Sequence, residues 1–205
     1  MTKGNEISAK TGLAFIGCGV MAESMIAGLL RERIVAAKQI VASHPRRDRR
    51  EELKKRYGIK VFADNGAAAK AFRGPHSVVL LCVKPQRMEA VLADLAGAVT
   101  ADQLVISIVA GATIGTIAEM LNSRLVVRAM PNTPSQIGKG MTPWTCSADV
   151  DSGHKQMVKV LLSALGTELF VETENMIDMA TSLSATGPTY TFLVMEAMTD
   201  AGVHL

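Results

Sequence analysis

The sequence predicts an α/β fold, a doubly wound and mostly parallel sheet, followed by an all-α C-terminal unit that the chain enters and is expected to leave truncated. Three observations predict it. Short apolar runs of strand length alternate with helix-like stretches from residue 13 to residue 171, the pattern of βαβ units whose parallel sheet is covered on both faces. The run "VVLLCV" at 78–83 has no polar alternation, as a central strand buried on both sides requires. From Glu174 strand signals cease, and residues 175–205 hold two apolar-rich helical stretches with Gly187-Pro188 between them. The expected divisions are a disordered tail over 1–10, an α/β domain over 11–173 and the start of a helical unit over 174–205.

Taken in order, "LAFI" at 13–16 opens the sheet, and the helix over 20–34 is apolar along one side through Met21, Met25, Ile26, Leu29 and Leu30. "IVAS" at 40–43 is the second strand. The helix over 48–57 follows within "RRDRREELKKR" at 46–56, seven basic side chains against Asp48, Glu51 and Glu52. Arg49 to Arg56 read as a solvated face with i,i+4 pairs such as Glu51 with Lys55, and Gly58 suits the helix C-cap. "IKVF" at 59–62 and a helix over 64–73 lead to Gly74-Pro75, which punctuates the approach to "SVVLLCV" at 77–83. A helix over 86–97, "LVISIV" at 104–109, a helix over 113–122 capped by Thr113, and "LVVRAM" at 125–130 complete the regular alternation. "GKGMTPWTC" at 138–146 reads as one more strand, followed by a helix over 151–165 and a short strand "TELFV" at 167–171.

Composition bounds the function. With 205 residues, 48% hydrophobic and 20% charged, the chain can bury one good core and a small second one. Aromatics make up only 4% while Met reaches 12, so the core is aliphatic with thioethers filling gaps, and stacking platforms for nucleic acid are not expected. A net charge of +3 does not imply a polyanion partner. Cys18, Cys82 and Cys146 are widely spaced without C-x-x-C or a nearby His, which gives no metal site and suggests reduced thiols in the cytoplasm. No apolar run reaches the roughly 18 residues that span a bilayer, and "MTKGNEISAK" lacks the apolar segment of a secretory signal.

Chemistry enters at residues 17–22, Gly17-Cys18-Gly19-Val20-Met21-Ala22, spaced G-x-G-x-x-A between the first strand and its helix. That placement is the one a dinucleotide requires, in the Rossmann manner. Gly17 permits the tight turn, Gly19 lets backbone approach a pyrophosphate, and Ala22 allows close packing of helix on strand. The phosphates would meet free N–H groups at the helix N-terminus. At the end of the second strand, where a carboxylate would bind the ribose 2′-hydroxyl of NAD, the chain reads "ASHPRR". Ser43 and His44 take that place, and Arg46 and Arg47 follow at a distance suited to clamping a 2′-phosphate. NADP(H) is therefore preferred, with NAD(H) as the alternative carrier. The competing reading is that both arginines only solvate the start of the next helix.

Three further segments lie at strand ends, where a doubly wound sheet binds ligands: "VKPQ" at 83–86, "VAG" at 109–111 and "RAMPNTP" at 128–134. With "FIGCGVM" and the late "LSATGPTY" at 183–190, the set closely resembles the pyrroline-5-carboxylate reductase family from about Leu13 to Leu205. The resemblance implies reduction of a cyclic imine to proline by hydride from NADPH or NADH. It implies that Ile16, Gly17, Cys18, Gly19, Val20 and Met21 hold the pyrophosphate, with Ser43, His44 and Asn65 around the adenosine ribose. Val83, Lys84 and Pro85, with Ala110 and Gly111, would line the path to the nicotinamide, while Asn132, Thr133 and Gly187 border the substrate. Apart from the family, Lys84-Pro85 is also readable as a strand exit and Gly187-Pro188 as a plain helix separator. Pro131 and Pro134 make the segment around Asn132 and Thr133 rigid in either case.

An imine nitrogen is basic enough to be protonated with little help, so the hydride acceptor needs orientation more than a strong acid. Ser184 or Thr186 is the candidate hydroxyl near the reacting nitrogen. The four histidines are scattered and none is assigned a proton transfer. The family reads Ser-Gly-Ser-Gly-Pro where this chain has Ser184-Ala185-Thr186-Gly187-Pro188. The resemblance also implies further helices that build an intertwined homodimer, with a Ser-Pro-Gly-Gly-Thr segment that these residues do not contain. The 205-residue chain alone is therefore expected to bind NADPH and to reduce the imine poorly. Another NADP-dependent imine or β-hydroxyacid reductase is the rival enzyme. It would need a lysine on a helix of the second unit as acid, whereas the last lysine is Lys159. A dinucleotide-binding module without turnover is the rival of a different class.

Overall fold

The computed structural model describes residues 7–204. Eight strands form one sheet: β1 (Gly12–Ile16), β2 (Ile40–Ser43), β3 (Lys60–Phe62), β4 (Ser77–Leu81), β5 (Leu104–Ser107), β6 (Val126–Ala129), β7 (Gly140–Cys146) and β8 (Gly166–Phe170). Their spatial order is β3-β2-β1-β4-β5-β6-β7-β8. Pairing is parallel except between β6 and β7, which run antiparallel. The first six strands thus have the doubly wound order that opens a ligand crevice where β1 meets β4, because the connections diverge there.

Among the described residues eight α-helices cover the sheet or follow it: α1 (Val20–Arg31), α2 (Arg47–Tyr57), α3 (Asn65–Ala69), α4 (Met88–Leu95), α5 (Ile114–Leu121), α6 (Ser152–Ser163), α7 (Glu174–Ala180) and α8 (Gly187–Val203). Strand periodicity allots the core to two faces. Leu13, Phe15, Val78, Leu80 and Ile106 pack with Met25, Ile26 and Leu29 of α1 and Leu161 of α6. Their neighbours Ile16, Val79, Leu81 and Val105 pack with Val91, Leu92 and Leu95 of α4 and Ile117 of α5. Every residue of β4 is buried, which is why that strand reads as an unbroken apolar run.

The expected stop signals are present. Gly58 ends α2 in the left-handed conformation at φ +67°, and the Thr113 side chain accepts from Thr116 N to start α5. Other features differ from expectation. Of the tail expected over 1–10, residues 1–6 lie outside the described residues. Lys10 belongs to a turn in which Thr11 N donates to Ser8 O, and Gln39 Nε2 donates to Ser8 O and Thr11 O. Glu51 pairs with Arg47 rather than Lys55. The Arg49 to Arg56 segment is not purely solvated, since the Arg49 side chain is only 12% exposed against Glu23 of α1.

The largest difference is at Gly187-Pro188. No loop separates the two C-terminal helices: α7 passes through a π-helical turn, Thr181–Ala185, and Gly187 and Pro188 form the first turn of α8. Proline is tolerated there because a first-turn N–H has no intrahelical partner to lose. The π turn spends the intervening groups differently, with Thr186 N and Thr186 Oγ1 both donating to Thr181 O.

Candidate active site

The turn after β1 is built on Ser43, at the end of β2. Cys18 N donates to Ser43 O at 2.9 Å and Gly17 N donates to Ser43 Oγ at 3.2 Å. The same hydroxyl donates to Asn65 Oδ1 at 2.8 Å, and Asn65 Nδ2 donates to Asp94 Oδ2 at 3.2 Å. Ser43 is fully buried with its hydrogen bonds committed inward. It is therefore a bracket beneath the turn and not the ribose contact that its position suggested. Ile16 and Cys18 are likewise fully buried, so their side chains belong to the core and only the backbone of 16–18 shapes the site. Burial pushes the Cys18 thiol up to about 12, so no thiolate lies beneath the turn to repel an anion.

Gly17 adopts φ +83°, and a Cβ added to it would lie 2.4 Å from Val83 Cγ1. Gly19 is different. It has extended backbone with φ −83° and ψ −164°, caps α1 with no side chain, and a Cβ built there meets nothing within 4 Å. The first amides of α1, at Val20 and Met21, thus sit behind open space at a helix N-terminus. That arrangement fits a diphosphate, which needs backbone donors and close approach.

A cleft of about 510 Å³ opens here, lined among others by Gly17, Gly19, His44, Asn65, Val83 and Lys84. A second cleft of about 560 Å³ is lined by Pro85, Val109, Ala110, Gly111 and Thr116 among others. Together they bring most of the sequence-expected cofactor residues along one line of strand ends. His44 Nδ1 accepts from Arg46 N at 3.3 Å, which places the ring proton on Nε2. Burial, with the Arg46 and Arg49 charges, outweighs the Arg46 backbone hydrogen bond and holds its pKa below the ordinary histidine value, which favours the neutral ring.

Arg46 and Arg47 do not line either cleft. Arg46 lies 3.7 Å from Asp48, and Arg47 lies 3.4 Å from Glu51 with 85% of its side chain exposed. Arg50 Nη1 donates to His44 O at 3.0 Å and to Pro45 O at 2.6 Å, so it shapes the turn on which His44 stands. Sequence reading missed this role because a helix pattern does not tell which arginine curls back over its own N-terminus.

On the substrate side, Asn132 Oδ1 accepts from Met141 N at 3.0 Å while Asn132 Nδ2 donates to Ser184 O at 3.4 Å. Ser184 O is available because Pro188, four residues on, has no N–H to offer it. Asn132 and Ser184, 52 positions apart, are thereby brought together. Thr133 begins the 3-10 turn Thr133–Ile137 and is exposed. Thr186 Oγ1 donates to Thr181 O at 2.8 Å, which leaves its lone pairs as acceptors, and a Cβ at Gly187 would meet nothing within 4 Å.

Arg128 is the residue that sequence reading passed over. It is 2% exposed on β6, with Nη1 donating to Glu174 at 3.0 Å and Nη2 donating to Asp178 at 2.5 Å, both on α7. A charged residue in "LVVRAM" that breaks an otherwise apolar strand was the available signal, because a buried arginine must find carboxylates.

Comparisons with known proteins identify the family. A family model described as NADP oxidoreductase coenzyme F420-dependent matches residues 12–111, and one described as pyrroline-5-carboxylate reductase dimerisation matches residues 174–205. Pyrroline-5-carboxylate reductase of Synechocystis is 40% identical over 191 residues, covering 93% of this chain and 69% of that protein. The enzyme of Pseudomonas aeruginosa is 41% identical over 194 residues, covering 94% and 69%. Among solved structures, a pyrroline-5-carboxylate reductase from Coxiella burnetii superposes with TM-score 0.84 at 32% identity, covering 96% of this chain and 72% of that one. Plasmodium falciparum pyrroline carboxylate reductase with NADP bound gives TM-score 0.80 at 27% identity, covering 96% and 70%. The chain belongs to the pyrroline-5-carboxylate reductase family.

Proposed function

We propose that this protein reduces 1-pyrroline-5-carboxylate to L-proline with NADPH, as the last step of proline synthesis. Family membership supports the reaction, and the observation that carries the site is the open Gly19 at the N-terminus of α1 above a cleft shared by Gly17, His44, Asn65, Val83 and Lys84. When bound, NADPH supplies the hydride; the C=N carbon of the substrate receives it, and the protonated imine nitrogen becomes the secondary amine of proline.

What the chain contributes is placement. Val20 and Met21 amides hold the pyrophosphate, and neutral His44 offers Nε2–H beside the adenosine ribose, with Asn65 at its flank. Arg46 and Arg47 supply the positive field that favours a 2′-phosphate, and the Ala110–Gly111 loop walls the path to the nicotinamide. Lys84 and Pro85 form its opposite edge. Asn132, Thr133 and Gly187 border the imine. Thr186 Oγ1, whose own proton is spent on Thr181 O, is suited to accept a hydrogen bond from the iminium N–H. Ser184 is the second hydroxyl available there.

The reading divides the chain into a dinucleotide domain over 11–173 and a helical unit over 174–205 through which copies assemble as a homodimer or larger oligomer. Cys18, Cys82 and Cys146 are free thiols, in keeping with a cytoplasmic setting. Among the described residues no helix is long and apolar enough to cross a membrane. The test is NADPH oxidation by the purified protein, with proline quantified as product. Proline formed one-for-one with NADPH consumed supports the reading. Weak turnover by these 205 residues with full activity in a version extended to the length of the relatives fits the reading, whereas NADPH binding without proline formation in the extended version as well would reduce it to a dinucleotide-binding module.

A further inference from the structure

We propose that Glu174, held by Arg128, is a positioning residue that ties the cofactor loop after β5 to the helix carrying the substrate-side segment, so that NADPH binding is transmitted to residues 181–187. The inference rests on the reading of Ala110 and Gly111 as cofactor wall.

The loop Val109–Thr113 is fixed at both ends by side chains. At its start Val109 N donates to Ser107 Oγ at 3.2 Å. At its far end Ile114 N, the first amide of α5, donates to Glu174 Oε1 at 2.8 Å. The second anchor comes from another part of the chain, 60 residues later, at the first residue of α7. One oxygen does both jobs, because Glu174 Oε1 also accepts from Arg128 Nη1 at 3.0 Å. Arg128 then reaches Asp178, one helical turn further along α7, at 2.5 Å. A buried guanidinium with two carboxylates on one helix face fixes both the rotation and the height of that helix.

From there the chain is continuous, α7 running through the π turn into α8. Ser184 lies ten residues beyond Glu174, a span of about 15 Å along a helix, so a tilt at Glu174 displaces the substrate border. Asn132 on the Ser184 carbonyl is the second pin. The brace is therefore a continuous packed path between the two sites, and linkage follows if NADPH binding shifts it between two arrangements, which hydrogen exchange reads.

The test is hydrogen exchange of the whole protein with and without saturating NADPH, followed in peptides covering 109–118 and 174–187. In the wild type NADPH should slow exchange in both, by on the order of fivefold or more in the second. In Glu174→Ala, protection should remain in 109–118 and vanish from 174–187. Glu174→Gln keeps the carbonyl oxygen that Ile114 N and Arg128 use, and should restore the transmitted protection. Asp178→Ala, at a position whose side chain is 58% exposed, removes one arm of the brace while Glu174 still pairs with Arg128, and should lower the transmitted protection. A merely structural role would lower the melting temperature of Glu174→Ala and leave the NADPH-dependent protection of 174–187 intact; that result, or a Gln variant as impaired as Ala, would overturn the inference. Wild-type protection confined to 109–118 would overturn it alone. Absence of NADPH-dependent protection anywhere would overturn the cofactor reading and this inference with it.

Discussion

Two glycines two positions apart carry opposite burdens, and that difference is measurable. Gly17 is structural: its φ of +83° and a would-be Cβ 2.4 Å from Val83 mean that Gly17→Ala adds strain of about 1–3 kcal/mol before repacking, and the protein should melt several degrees lower. Gly19 is spatially free in the fold, so Gly19→Val should cost only the weaker cap, about 1 kcal/mol, while raising the NADPH dissociation constant at least about tenfold. Fluorescence of Trp144, the single tryptophan, fully buried on β7, reports folding in both, and nicotinamide fluorescence reports binding. An unaltered NADPH affinity in folded Gly19→Val would remove the turn from the site. Charge at the adenosine end gives a second measurement. Arg46→Ala/Arg47→Ala should weaken NADPH by about 1–3 kcal/mol, leave NADH nearly unchanged, and lose most of its effect as salt rises. An equal loss for both cofactors would refute a 2′-phosphate role and return the two arginines to the surface.

At the scale of elements, the position of α2 is set by one carboxylate. Glu23 on α1 accepts from Arg49, from Arg56 Nη1 at 2.6 Å and from Tyr57 OH at 2.8 Å, so a strongly basic helix is fastened to the helix that opens the phosphate site. Burial acts to raise the Glu23 pKa, but hydrogen bonds from Arg49, Tyr57 and Arg56 outweigh it and hold the carboxyl below its ordinary value of 4.5. The folded state thus binds this proton less readily than the unfolded chain. Its contribution is fully present above 4.5 and declines as pH falls through the lowered folded value. Glu23→Gln should accordingly cost about 1–3 kcal/mol at pH 7 and make the acid limb of the stability curve shallower. A wild-type acid limb retained in full would assign that proton to another group. Legibility in the sequence followed the same physics. Strands announced themselves because a sheet buried on both faces leaves "VVLLCV" no polar alternation, and the stops at Gly58 and Thr113 were legible because each acts within its own turn. The Glu23 cluster, the inward commitment of Ser43 and the Arg128 brace were not, since each joins residues more than 20 positions apart. The π turn was hidden for a related reason: Gly187-Pro188 signals a helix start, but only the bonds of Thr186 to Thr181 show that the chain before it stays helical.

For the whole molecule, α8 is the anomaly that demands a partner. Phe192, Leu193, Val194, Met195 and Met198 are each 57–71% exposed, and no residue of the helix is buried. These side chains are distributed around the helix rather than along one stripe, and a helix apolar on every side is stable only when surrounded. Each face of α8 in one copy is then suited to meet protein, and interlocking with equivalent helices of a second copy would supply that cover on every side. The protein should run in native mass measurement as a dimer or larger assembly of 21.8 kDa chains, and its melting temperature should rise with protein concentration, as mass action requires when only the associated state is folded to completion. Met195→Glu/Met198→Glu places two charges one turn apart on this helix and should shift the mass toward a single chain. Trp144 lies in the sheet, with Nε1 donating to Glu168 and its ring 4.8 Å from that of Phe170, so its emission should be unchanged in the dissociated variant. A wild type that stays monomeric at micromolar concentration would show that α8 does not assemble copies of this chain, and the substrate side of the site would then have to be built within one copy.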